Sequence, residues 1–149
     1  MSDIADVEAA ERFGKRRVRI FFVQAVFFIL WQTHFYAPSH EGALRAVDRF
    51  KISAWFVWVL ALLLLLATGG ALFRSRAVRA LLNDELTRRN RTMAYVYGFW
   101  AAVGAAIGVY FVAMFEFVSA REAIHIVLSA AIGTAMLTFA FKERGDRAA

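Results

Sequence analysis

Four long apolar stretches divide the chain, at about residues 18–37, 51–73, 93–115 and 121–141. A helix needs about 20 mostly apolar residues to cross a hydrocarbon core about 30 Å thick, and each stretch is long enough. None carries Lys, Arg, Asp or Glu in its central portion, and no ten-residue alternating pattern typical of β-barrel strands recurs. The sequence predicts an all-α, polytopic transmembrane four-helix bundle with antiparallel, up-and-down helices, forming one domain over residues 1–149.

The composition supports burial in lipid. Of the 149 residues, 60% are hydrophobic, and the mean hydropathy is +0.53. Soluble domains contain about 45–50% apolar residues, and a chain of this length has too little interior to hide the surplus from water. The sequence contains no Cys, which excludes disulfides, thiolate nucleophiles and thiolate metal sites.

The distribution of Lys and Arg predicts the orientation. Fourteen of the 18 basic residues lie in three segments: the N-terminal segment up to Arg19, the second loop (74–92), and the C-terminal segment from Lys142 onwards. The remaining four are Arg45, Arg49, Lys51 and Arg121. Because basic residues accumulate in short cytoplasmic loops, we expect both termini and loop 74–92 to be cytoplasmic in a bacterial inner membrane. Topology and contact with anionic membrane lipid account for the net charge of +6 without a nucleic-acid partner.

The charged stretch "RALLNDELTRRNR" (79–91) lies in the second loop. Asn83 and Asp84 are residue types that favour a helix N-cap, so a helix is expected to begin there and continue into the third span. The stretch has two interpretations. It is either a capped hairpin that only fixes topology, or a docking surface for a partner. The second interpretation involves Asn83, Asp84, Glu85, Arg88 and Arg89. No Gly-rich phosphate cradle accompanies them.

The longer segment "LLNDELTRRNRTMAYVYGFW" resembles a region of small, uncharacterised bacterial four-helix inner-membrane proteins. In that group an Asn-Asp-Glu element precedes an apolar helix, as Asn83, Asp84 and Glu85 do here, with Thr87 and Arg88 following. The resemblance covers about twenty residues. It implies the four-helix topology and assigns no functional residues.

Two small-residue motifs predict close helix packing. "GAAIG" contains Gly104 and Gly108, and "SAAIG" contains Ser129 and Gly133. Lipid is as apolar as a leucine side chain, so membrane helices associate through close backbone approach and polar contacts. We expect these two faces to meet within one molecule; the alternative is a homodimer formed through one of them. Between the two motifs, "SARE" has the form of a capping box from Ser119 to Glu122, which predicts that the fourth helix begins near Ala120.

His34 and His125 are predicted at similar depth near the outer ends of the first and fourth spans. Two inward histidines at matching depth are candidates for ligating a b-type haem, or a divalent metal with Glu116 or Glu122. The spacing of one histidine per helix favours the other interpretation, in which both bond to neighbouring helices or headgroups and no cofactor is bound.

No catalytic motif is present, and the centre of each span lacks the carboxylate that usually marks a proton-coupled pathway. The sequence therefore favours a small, non-enzymatic accessory or interaction component, with a membrane-protein partner or a second copy as its target. A histidine-ligated electron-transfer protein and a small dimeric transporter are the alternatives.

Overall fold

The computed structural model describes residues 2–32, 46–71 and 85–146, with side chains from residue 12 in the first range and residue 50 in the second. These ranges are almost entirely helical and contain no strand, which confirms the all-α prediction. The helices are α1 (Ser2–Gln32), α2 (Ala46–Thr68), α3 (Glu85–Val112) and α4 (Ala120–Asp146).

Three of the described helices are long and apolar enough to cross a membrane: α2 from Phe50 to Thr68, α3 and α4. The remaining helix, α1, holds the first predicted span, 18–37, which is described only as far as Gln32. Its described apolar part, 20–32, follows a basic segment and is shorter than a full span.

Helix α4 lies at the centre of the described fold, because α1, α2 and α3 all pack against it. Its buried residues therefore cover a wide arc, whereas the buried residues of α3 form one narrow row. The core draws on all four helices and consists mainly of aromatic and branched aliphatic side chains: Phe21, Ala25, Phe28, Trp55, Val59, Leu62, Leu66, Ala94, Ile132, Ala135, Met136, Phe139 and Ala140.

On α1 the buried positions recur at steps of three and four residues, which is the spacing of a helix seam packed against a neighbour. They are Gly14, Arg17, Phe21, Ala25, Phe28 and Gln32. The pairs formed with α4 are specific: the rings of Phe21 and Phe139 lie 4.6 Å apart between centroids. Helix α2 joins α1 through Trp58, whose ring lies 5.3 Å from Phe27.

Helix α2 ends at Thr68, five residues before the end of the predicted 51–73 stretch. The reason is the pair Gly69 and Gly70, which adopt positive φ angles of 59° and 75°. The Gly70 amide donates to Leu65 O at 2.9 Å and the Gly69 amide to Leu66 O at 3.2 Å. This is the Schellman pattern, which satisfies carbonyls that the helix end leaves without partners.

The turn between α3 and α4 has the predicted capping box. The Ser119 amide donates to Glu122 Oε2 at 2.9 Å, and the Glu122 amide donates to Ser119 Oγ at 3.3 Å. Helix α4 begins at Ala120, so this prediction is confirmed. Local sequence is sufficient here because both bonds join residues only three positions apart.

Candidate functional site

A buried ion pair between Arg17 and Glu143 joins α1 to α4. Arg17 is 2% exposed, and Thr87 and Glu143 are each 4% exposed. The guanidinium also donates to Thr87 Oγ1 at 3.1 Å, and the Thr87 hydroxyl donates to Glu143 Oε1 at 2.9 Å. These three residues, which we call the Arg17 triad, form a closed set of hydrogen bonds across three helices.

The triad occupies positions that the helices would otherwise fill with apolar residues. Arg17 is a member of the buried row of α1 and lies one turn before Phe21, and Thr87 is the first residue of the buried row of α3. The guanidinium carbon of Arg17 lies 5.6 Å from the centroid of the Phe139 ring, where the cation faces the electron-rich ring. Burial of a charge is costly unless it is paired and hydrogen-bonded, and the triad meets both conditions.

The turn that ends α2 packs against the triad. A methyl group placed on Gly69 would lie 3.7 Å from Arg17 Nη1 and 3.9 Å from the Thr87 methyl carbon. Arg91 of α3 donates to the carbonyl of Ala67 at 2.7 Å, so α3 also caps the end of α2. All four helices therefore converge on this end of the molecule, which we call the Arg17 end.

A second polar pair extends the contact between α3 and α4. Asn90, which is buried one turn after Thr87, donates from Nδ2 to Asp146 Oδ2 at 2.7 Å. The first two turns of α3 are thus anchored at two places. Both oxygens of the Glu143 carboxylate accept hydrogen bonds within the triad, which favours a structural role for this group over proton transfer to a substrate.

The described members of the predicted docking set are all exposed. Glu85, Arg88 and Arg89 are exposed on the same two turns of α3 whose other side buries Thr87 and Asn90. Asn83 and Asp84, which complete the predicted set, lie outside the described residues.

His125 is buried in α4, and its ring stacks against Trp55 of α2 with centroids 4.5 Å apart and planes tilted by 33°. His34, its predicted partner, lies outside the described residues. Within the part of the chain that the structure describes, no three His, Asp or Glu side chains group closely enough to hold a metal ion. The contact with Trp55 makes His125 part of the aromatic packing between α2 and α4.

The small-residue motifs do not meet in the described fold. Gly104 and Gly108 face open space, where an added methyl group would contact nothing within 4 Å. Gly133 instead packs against Ile29 of α1, with Cγ1 of Ile29 3.1 Å from the position of an added methyl. Ser129 is half-buried on α4.

The close approach of α3 to α4 occurs at Gly98. A methyl group there would lie 2.9 Å from Ala131 O and 3.0 Å from Cβ of Ala135. Gly98 precedes the "GAAIG" motif and is not part of it. Gly98 lies instead in one row with Thr87, Asn90 and Ala94, at steps of three and four residues. That row was the available signal for the packed face of α3.

Sequence reasoning treated Arg17 as one of the basic residues that set topology, and it missed Thr87 and Glu143. A weak signal existed for Arg17, which lies at helical spacing before three apolar residues of the same row, Phe21, Ala25 and Phe28. Glu143 offered none, since it follows the fourth apolar stretch in a segment rich in charge.

No family model, curated protein or solved structure matches this chain.

Proposed function

We propose that the chain is a four-helix protein of the bacterial inner membrane with antiparallel helices and both termini in the cytoplasm. Three helices of sufficient length and apolarity support the membrane location. The excess of Lys and Arg in α1 up to Arg19, in the segment 74–92 and from Lys142 onwards supports the orientation. The Arg17 end then faces the cytoplasm.

Contacts between α1 and α4 support opposite directions for these two helices. Arg17 pairs with Glu143, Phe21 packs on Phe139, and Ile29 lies against Gly133. In these three pairs the residue number rises along α1 as it falls along α4. Since α1 follows α4 in this way from Arg17 to Ile29, we include α1 as the fourth span, completed by residues after Gln32.

Labelling of single introduced cysteines tests this topology, and the chain has no native Cys to remove. Glu85→Cys and Arg144→Cys should react with a membrane-impermeant maleimide only after the cells are opened. Arg121→Cys should react in intact spheroplasts. Labelling of position 85 from outside would refute the proposed orientation.

In this membrane topology, the protein acts as a non-enzymatic accessory component that docks a membrane-protein partner through the cytoplasmic end of α3. One observation carries this proposal: Thr87 and Asn90 fix the first turns of α3, while Glu85, Arg88 and Arg89 on the same turns are exposed. A rigid surface binds at a lower entropic cost than a mobile loop.

The chemistry of this surface indicates the kind of partner. A small recess of about 100 Å³ lies between α3 and α4, and Leu86 and Met93 contribute apolar atoms to it. Arg89 and Lys142 line it as well, and the carboxylate there, Asp146, accepts a hydrogen bond from Asn90. A cytoplasmic segment that combines acidic and apolar side chains would complement this surface.

Site-specific photo-crosslinking in cells tests the docking role. A photoreactive side chain at position 86 should give one discrete adduct with a membrane protein, and the same group at position 110 should not. Arg88→Glu combined with Arg89→Glu should abolish the adduct, while Arg121→Glu, an exposed charge reversal at the other end of α4, should leave it unchanged. An adduct that persists in the double variant would refute docking at this surface.

A further inference from the structure

A second groove at the Arg17 end lies between α1 and α4, on a different side of α4 from the recess beside α3. Its volume is about 430 Å³, within the range of about 300–1,000 Å³ typical of small-molecule sites. Its lining combines three cations with four apolar residues: Lys15, Arg19 and Arg144, and Val18, Phe22, Ala140 and Phe141. We propose that this groove binds one anionic phospholipid of the cytoplasmic leaflet.

The cations give the groove its charge preference. Lys15 and Arg19 are four residues apart on α1 and so share one side of that helix, and Arg144 faces them from α4. All three are exposed, so their charged groups are available to a ligand. The described lining includes no acidic residue.

The Arg17 triad keeps one neighbouring carboxylate, that of Glu143, away from these cations. Glu143, adjacent to Arg144 in sequence, points into the core and pairs with Arg17. The positive charge of Lys15, Arg19 and Arg144 is therefore not cancelled by Glu143. A phosphodiester is the complementary group, because guanidinium and ammonium groups form charge-assisted hydrogen bonds with phosphate oxygens.

The apolar part of the groove selects a lipid over a free anion. The rings of Phe22 and Phe141 meet edge to face, with centroids 5.9 Å apart, and each ring is about half exposed. Phe22 lies after Lys15 and Arg19 in α1, and Phe141 lies before Arg144 in α4, so both lie on the side of the cations where the apolar segment of each helix begins. A ligand that binds here thus has its charge beside the basic segments of the two helices and its hydrocarbon along their apolar segments.

This arrangement is that of a phospholipid in a leaflet, with the phosphate at the level of basic residues and the acyl chains along apolar side chains. The inference rests on the proposed membrane embedding and not on the docking role. Binding to the purified protein is measured without reference to orientation, so it can fail while the cysteine labelling succeeds, or the reverse.

Native mass spectrometry of the delipidated full chain in detergent tests the proposal. The protein is titrated with phosphatidylglycerol and with phosphatidylcholine of the same acyl chains. Phosphatidylglycerol should bind more tightly than phosphatidylcholine, and at low lipid concentration the main complex should contain one lipid per protein. Each basic residue near a lipid surface contributes about 1 kcal/mol, or about fivefold in affinity, so Arg19→Gln with Arg144→Gln should weaken binding of phosphatidylglycerol by about 25-fold.

The matched control is Arg88→Gln with Lys142→Gln. It removes two exposed charges at the same end of the molecule but outside the groove. This variant should retain the affinity of the original protein. Circular dichroism checks that each variant is folded. Lys15→Gln alone, at an exposed position of α1, should show the fivefold loss if the double variant does not fold.

Three results would overturn the proposal. Equal affinity for the two lipids would remove the charge preference, and an equal loss in the control variant would place binding elsewhere or show it to be diffuse. In a third arm, glycerol 3-phosphate is added as a competitor at millimolar concentration, and it should leave lipid binding unchanged. If it displaces the lipid, the site recognises a free phosphate and the apolar groove plays no part.

Discussion

Arg17 and Glu143 are separated by 126 positions in the sequence and form a buried ion pair that joins the first and last helices. Thr87 of α3 hydrogen-bonds to both members. The Arg17 triad therefore fixes the rotation of three helices about their axes. In a membrane, apolar contacts alone define this rotation less sharply, because lipid competes with the neighbouring helices for the same apolar side chains.

Removal of one member of this pair should destabilise the protein strongly. Glu143→Ala leaves the Arg17 guanidinium buried without its counter-charge, and such losses cost about 3–5 kcal/mol. Replacement of both members by apolar residues, Arg17→Met with Glu143→Leu, should restore most of the free energy of unfolding, because neither charge then remains to be desolvated. Unfolding by SDS titration in mixed micelles measures both. A double variant as unstable as Glu143→Ala would contradict this account.

The Thr87 hydroxyl should contribute separately. Thr87→Val preserves the shape of the side chain but removes the donor to Glu143 Oε1, and the unmade bond should lower the free energy of unfolding by about 1–2 kcal/mol. Thr92→Val is the matched control, because Thr92 is exposed and its hydroxyl donates to the carbonyl of Arg88 in its own helix. The control should change stability by less than about 0.5 kcal/mol, and equal effects of the two substitutions would argue against the triad.

Glycine positions in α3 should respond in opposite ways. Gly98→Ala forces a methyl group to within 2.9 Å of Ala131 O, a backbone atom that cannot move without displacing α4. Overpacking of this kind costs about 1–3 kcal/mol. Gly104→Ala meets nothing and should stabilise the helix by up to about 1 kcal/mol. Thermal unfolding in detergent measures both, and a loss of stability in Gly104→Ala would show that this face packs against something, such as a second copy.

The turn after α2 should not tolerate a side chain at its first glycine. Gly69 has φ of +59°, a left-handed conformation that costs other residues about 1–2 kcal/mol. Gly69→Ala should therefore destabilise the protein by about that amount, although its methyl group would have room. Gly145→Ala, in the last turn of α4 with no atom near the added methyl, should be neutral or stabilising. Equal behaviour of the two variants in thermal unfolding would exclude a conformational role for Gly69.

The histidines should not confer haem binding. His125 is buried and packs the face of its ring on Trp55 of α2, a packing role that needs no cofactor, so protein purified from cells supplied with a haem precursor should show no Soret band. A Soret band that disappears in both His34→Ala and His125→Ala would establish the alternative, a b-type haem ligated by these two residues.

Much of the helical organisation was predictable because its causes are local. A run of apolar residues is long enough or too short to cross a bilayer whatever surrounds it, and the capping box from Ser119 to Glu122 forms within one turn. The end of α2 was equally local, yet it was placed five residues too late, because the apolar residues after Gly70 masked the Schellman turn.

The candidate site was less predictable, because it depends on how each helix is rotated about its axis. By itself the sequence determined that the chain forms apolar helices, where the main ones lie and where positive charge accumulates, since these follow from the composition of each segment. Only the tertiary structure decided that Arg17 faces inward to Glu143, and that Gly98 rather than Gly104 lies against α4. The physical reason is that lipid and protein core are similarly apolar, so hydrophobicity places a helix in the membrane without selecting the side that meets its neighbour.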